Sequence, residues 1–305
     1  RGTDLPAQRS RTSGWRRCLE QIHQRNGSIE IAIDTGPEGT SEGEHRVGSG
    51  GDLVFRARLV GLSKEALCIE PPTALGEAIE FESGLRMVGI IAIGQNRWTF
   101  RTTCMGDVSV ANGAWRGRAL RLDMPDEVCR CQRRRDYRLD AAGLALPEVT
   151  VWPLLDPRSV ILSERVNEAA FIRERDAISH DHDASTLATL LHEDPPLPEV
   201  GPSLPGTLMN LGGGGIGVII DSEHSGALHG SPIFWSRFNL APHVQTPVCA
   251  TMKLVHTHIR SDKRVYGGFT FDFTSNASHK RFVVQQIVRA LAGQQKRQLA
   301  TWKAA

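Results

Sequence analysis

From Arg97 to Cys104 the side chains alternate: Trp98, Phe100, Thr102 and Cys104 fall on one side of an extended chain, and Arg97, Thr99 and Arg101 on the other. A period of two marks a strand with one buried face and does not match the 3.6-residue turn of a helix. The same pattern recurs at Ile29, Ile31 and Ile33, spaced by Glu30 and Ala32. Further short strands are expected at 52–59, 66–70, 77–82 and 86–93, then at 148–152, 207–211, 216–221, 250–259 and 268–273. In the last of these Phe269, Phe271 and Phe273 line one face. Short strands separated by turn signals point to barrels or sandwiches. The 30 glycines and the 6% of aromatic residues fit that class better than a helical bundle.

A chain of 305 residues is long enough for two domains, each with its own core. Residues 1–25 form a polar, Arg-rich arm with one amphipathic helix around Trp15–His23. A β-rich unit is expected over 26–128, with a Gly-, Ser- and Glu-rich loop at 36–51. The composition breaks at 129–140, where five arginines occur in nine residues (130, 133, 134, 135 and 138). A second β unit then runs over 141–305. It holds an insertion at about 153–205, since so long a connection is unusual inside a β domain. One helix is expected in that insertion, over 163–178. Val283, Val284, Ile287, Val288 and Leu291 form the apolar stripe of a closing helix at about 277–300. Its tail, 294–305, is polar and is expected to fray.

Several function classes recede on simple grounds. The formal charge is +2, so bulk electrostatics does not make the chain a polyanion binder, and any such role falls to local clusters. The best apolar run, Val88 to Ile93, is far short of the ~18 residues that span a bilayer. No apolar secretory leader is visible, and the six cysteines (18, 68, 104, 129, 131 and 249) lack a framework spacing. A cytoplasmic protein with reduced thiols is the expectation. His180-Asp-His182-Asp183 lacks a third converging ligand group, and Cys129 and Cys131 lack a second pair, so neither predicts a metal site. His256 and His258 share a strand face with Met252 and Leu254 and read as partly buried sheet residues. No nucleophile elbow or paired carboxylates argue for an enzyme.

Gly212-Gly-Gly-Gly215-Ile-Gly217 spells a dinucleotide-binding loop. That loop must open a helix, whose N-terminus holds the pyrophosphate. Here Val218, Ile219 and Ile220 follow, which continue as strand, and no Gly-Lys-Ser/Thr is present. By itself the loop reads as a Gly-rich β-turn, and the arginine run by itself reads as a solvated hinge or nucleic-acid patch.

The two together carry more. Gln132-Arg-Arg134-Arg-Asp-Tyr-Arg138 resembles the R-x-x-x-R lead-in of a PilZ domain, and Asn210-Leu-Gly212-Gly-Gly-Gly215 is similar to that family's D/N-x-S/A-x-x-G turn. The Phe-rich strand and closing helix fall where the family has them. The resemblance covers roughly 129–152 and 206–305. The β unit before the arginines resembles the N-terminal barrel of flagellar-brake-type PilZ proteins.

The resemblance implies a mainly β fold: an N-terminal barrel and a six-stranded PilZ barrel closed by a C-terminal helix. It implies a receptor for cyclic di-GMP (c-di-GMP), with no catalytic residues and no cofactor, that rearranges its domains on binding. A flagellar motor component or a polysaccharide-export protein would be the partner, and no nucleic-acid polymer. The residues carried over are Arg133, Arg134, Arg138, Asn210, Gly212 and Gly215. Arginine forks grip phosphate and guanine edges, Asn offers a donor and an acceptor, and glycines admit a ligand to the backbone. Arg133, just before the pair, implies two intercalated ligand molecules. Gly212 departs from the pattern: it stands where the family has Ser or Ala, and favours the alternative of a scaffold that binds only protein.

Overall fold

The computed structural model describes residues 14–35, 51–93, 96–112, 115–130, 144–179 and 195–304. Helix α1 (Trp15–Gln24) buries Trp15 and Leu19. Six strands then close into a first antiparallel barrel. They are β1 (Ser28–Ile33), β2 (Val54–Leu62), β3 (Ala66–Ile69), β6 (Arg86–Ile93), β7 (Asn96–Asn112) and β8 (Trp115–Asp123), paired in the ring β1-β6-β7-β8-β3-β2. The pair β4 (Thr73–Ala74) and β5 (Glu77–Ala78) stands apart, and β9 (Cys129–Arg130) adds to β7. Ile29, Ile31 and Ile33 point into the barrel, as their alternation requires. Ala32 is buried too, because Leu144 covers the outer face there together with Val54, Val88 and Ile90.

A second ring of six antiparallel strands follows: β10 (Glu148–Pro153), β11 (Leu204–Gly212), β12 (Gly215–Ile220), β13 (Ile233–Leu240), β14 (Val244–Ile259) and β15 (Val265–Phe271). They pair in the order β11-β10-β13-β14-β15-β12 and close through β11–β12. One device turns the corner in both barrels. A long strand pairs with one neighbour, bulges, and pairs with the next: β7 at Cys104/Gly106 and β14 at Leu254/His256. A single parallel bridge, Leu211 to Phe55, joins the barrels edge to edge.

Helix α2 (Val160–Ser179) lies within the expected insertion and substitutes for a strand. The stretch of β14 that β15 does not reach would leave its backbone groups bare. Glu174 accepts from the amides of Gln245 (3.1 Å) and Thr246 (2.7 Å). Asn167 donates to Pro247 O at 2.7 Å and accepts from Cys249 N–H at 3.4 Å. Buried polar groups of this kind are tolerated only when paired. Arg289 closes the set against Glu174 at 3.2 Å.

Helix α3 (His279–Ala304) packs Phe282, Val283, Ile287 and Leu291 on the core. Its tail is helical through Ala304. Gln294, Gln295 and Gln298 are buried and reach across to the backbone of the first barrel. Gln294 donates to Gly51 O (2.8 Å), and Gln295 donates to Glu80 O (3.0 Å) while accepting from Glu82 N–H. Gln298 donates to Asp34 O (2.6 Å) and Arg86 O (2.8 Å) and accepts from Arg86 N–H at 3.0 Å. The primary amide is suited to this task because it both donates and accepts.

The strand expectations need three corrections. The run at 77–82 shrinks to Glu77–Ala78. β8 was hidden by Arg116, Gly117 and Arg118, although Leu120 and Leu122 alternate inward. β13 shows no period of two because its outer face is covered as well: Trp235 packs with Trp152, Leu154, Val160 and Cys249.

His243 sits where the second barrel meets α3, so close to Gly293 that a Cβ there would come within 2.3 Å of its ring. Burial, then Arg297 and Arg289, hold its pKa down to about 4. Between pH 6.5 and about 4 the unfolded chain binds a proton that the folded ring refuses, so stability falls across that window and levels off below it. For a partly exposed ring the loss is roughly 1–2 kcal/mol. Melting temperatures across the window should fall less in His243→Gln than in the parent chain.

Candidate functional site

The site begins with a bulge. Leu208 and Leu211 both face the core of the second barrel, which a regular strand could not do with an odd spacing. The register of β11 against β12 slips between Leu208 and Asn210, and the slip turns Asn210 outward to the seam between the barrels. There Asn210 is only 7% exposed, and its Nδ2 donates to Glu30 Oε1 at 2.7 Å. Glu30 Oε2 is held by Arg97 of β7. Tyr266 of β15 lies over Gly217, the cross-strand partner of Asn210, and burial pushes the pKa of its hydroxyl up. Four strands from two barrels thus converge around Asn210 and Glu30. Arg56 of β2 lies exposed beside them, close enough to act electrostatically on Tyr266.

The hairpin beyond Asn210 is a two-residue turn closed by the Gly212–Gly215 pair. Gly213 and Gly214 have φ of +49° and +107°, in the left-handed region that side chains resist, and a Cβ on either would meet nothing within 4 Å. They are the open tip. The flanking glycines have different reasons. A Cβ on Gly215 would lie 2.1 Å from Phe269 O, and one on Gly212 would lie 3.3 Å from Arg56 O across the seam. A side chain at Gly212, where the sequence pattern leads one to expect Ser or Ala, would therefore fit tightly against β2.

Arg133, Arg134 and Arg138 lie outside the described residues, as do Cys131 and 180–183. The described flanks of the arginine run both border the seam. Arg130 pairs with Trp98, next to Arg97, and the Ala145 amide donates to Asp52 Oδ2 at 2.8 Å, just before β2. His256 and His258 are exposed on the outer sheet face, not partly buried as their pattern with Met252 and Leu254 implies. The bulge at Leu254/His256 separates them from that face.

Glu30, Arg97, Arg56 and Tyr266 carry no motif. Each is an outward residue in an alternating strand, and only the arrangement of the barrels shows that they converge. Among the described residues no three His, Cys, Asp or Glu side chains gather as metal ligands, and no helix is long and apolar enough to cross a membrane.

No protein-family model matches the chain, and no curated protein does. TM-scores against solved structures are low. The chain is similar to a Bacillus subtilis inhibitor of motility, MotI/DgrA, at 12% identity and TM-score 0.28, over 88% of this chain and 97% of that one. It is also similar to MrkH of K. pneumonia in its apo state, at 11% identity and TM-score 0.29, over 97% and 99% of the two chains. A third similarity is to Escherichia coli YcgR solved in complex with c-di-GMP, at 11% identity and TM-score 0.27, over 93% of this chain and 92% of that one.

Proposed function

We propose that this chain is a PilZ-type c-di-GMP receptor whose ligand is gripped between the 133–138 arginines and the Asn210 hairpin. The observation that carries the reading is the convergence at the seam. The two motifs lie roughly seventy residues apart in sequence. The hairpin and both flanks of the arginine run nevertheless border one inter-barrel edge. The dianionic ligand supplies phosphates for the guanidinium forks and guanine edges for the Asn amide.

The same geometry supplies a way to transmit binding. Asn210 donates an N–H to Glu30 of the first barrel, so a guanine that competes for that N–H displaces the contact. Ligand contacts then bias the arrangement of the barrels, which is a population shift driven by differential affinity. The output is a changed interaction with another protein, for which motor and polysaccharide-export components are the family-level expectation.

One observation favours the second reading, a scaffold that binds only protein: an N–H of the Asn210 amide is already taken by Glu30 without a ligand. A thermal-shift panel separates the two. At ligand concentrations near a hundred times Kd, binding adds about 2.7 kcal/mol of stability. c-di-GMP is therefore expected to raise Tm by several degrees, while GTP and cyclic di-AMP leave it in place. A flat response to c-di-GMP supports the scaffold.

A further inference from the structure

Beside Asn210 the outer face of the second barrel carries three rings. Tyr266 of β15 and His258 of β14 are cross-strand neighbours, stacked with centroids 4.7 Å apart and planes 27° from parallel. His256 lies 6.3 Å from His258, within 6° of its plane, and 5.8 Å from Tyr266. Two glycines make room beneath them. A Cβ on Gly217 would come within 2.2 Å of the Tyr266 hydroxyl, and one on Gly268 would come within 2.2 Å of the His256 ring. Any larger residue at either position would lift its ring off the sheet.

Rings that cover strand glycines can serve stability alone. Three features here go further. Both imidazoles are solvent-exposed, and among the described residues neither has a hydrogen bond or ion pair. Burial, His256 and Arg260 hold His258 below its usual pKa, which favours its neutral ring. Most important, the patch is continuous with the ligand hairpin, because Tyr266 covers Gly217, the cross-strand partner of Asn210.

We infer that Tyr266, His258 and His256 form a stacking platform for a purine base of the nucleotide bound at the Asn210 hairpin. The inference rests on the c-di-GMP reading and deepens it, since it assigns one base of the ligand to the β14–β15 surface. A purine lying on these rings has its edge toward Asn210 and its phosphate toward exposed Arg56. Stacking supplies affinity from the base's π-face, while the hydrogen-bonding edge keeps the choice of base.

The test is calorimetric titration of the full chain and its variants with c-di-GMP. Tyr266→Leu removes the central ring and should weaken binding by roughly tenfold or more. Tyr266→Phe keeps the ring and should stay within about threefold of the parent. His258→Ala changes an exposed residue, leaves folding untouched, and should cost about three- to tenfold. Saturation transfer from the aromatic protons of the parent chain should reach guanine H8 most strongly. If the parent binds c-di-GMP while Tyr266→Leu and His258→Ala bind equally well, the platform is wrong and the receptor reading stands. If the parent does not bind c-di-GMP at all, both are wrong.

Discussion

Arg134→Ala and Arg138→Ala are each expected to weaken c-di-GMP binding by about a hundredfold or more, with the melting temperature of the ligand-free chain unchanged. A guanidinium gripping a phosphate or a guanine edge makes two charge-assisted hydrogen bonds, each worth about 1.5–3 kcal/mol. Losing both costs at least two powers of ten in Kd. Lysine should not restore the affinity, because a point charge cannot reproduce the planar fork. Calorimetry on both single variants and the double variant checks this, and tight binding by the double variant would sink the site assignment. The same titrations read Arg133: its loss should reduce the stoichiometry from two ligands per site toward one.

The second large effect is on the fold. Gln298→Leu is expected to lower stability by roughly 2–5 kcal/mol. The leucine would leave Asp34 O and Arg86 N–H without the partners that Gln298 provides at the end of the β1–β6 ladder. A buried group stripped of its partner loses more than an average hydrogen bond contributes. Gln298→Glu keeps the acceptor and loses the donor, so it separates the two halves of the contact. Urea unfolding is the measurement. Uncoupled barrels should give a broader transition or two of them, because α3 and the seam strands provide the links between the barrels described above. A change below about 0.5 kcal/mol would mean the glutamines are ornaments on a helix held by its apolar face alone.

How much of this was legible in the sequence depended on whether a strand had one buried face or two. β1 and the first half of β7 showed their period because one face is open enough to stay polar. β13 did not, since Phe234, Trp235 and Ser236 are buried in succession beneath residues from α2 and β10. The glutamines misled for a related reason. Polar residues on a helix tail look like a solvated face, and nothing local reveals that a second barrel waits opposite. Asn210 was found through the family motif, but the outward turn of its side chain depends on a bulge that residue types alone do not announce. Its partners Glu30, Arg97 and Tyr266 come from strands far apart in the chain, and only the seam brings them together.

The glutamine contacts also have a place in time. In a chain made from its N-terminus, Gln294, Gln295 and Gln298 leave the ribosome only after every strand of both barrels has emerged. The first barrel can therefore close on its own hydrogen bonds while the second is still being made. The relative pose of the two is held by the seam strands alone until the last helix docks. Misregistered encounters between the barrels can dissolve before anything locks them. A chain that lacked the end of α3 would have only the seam contacts to fix the arrangement of its barrels.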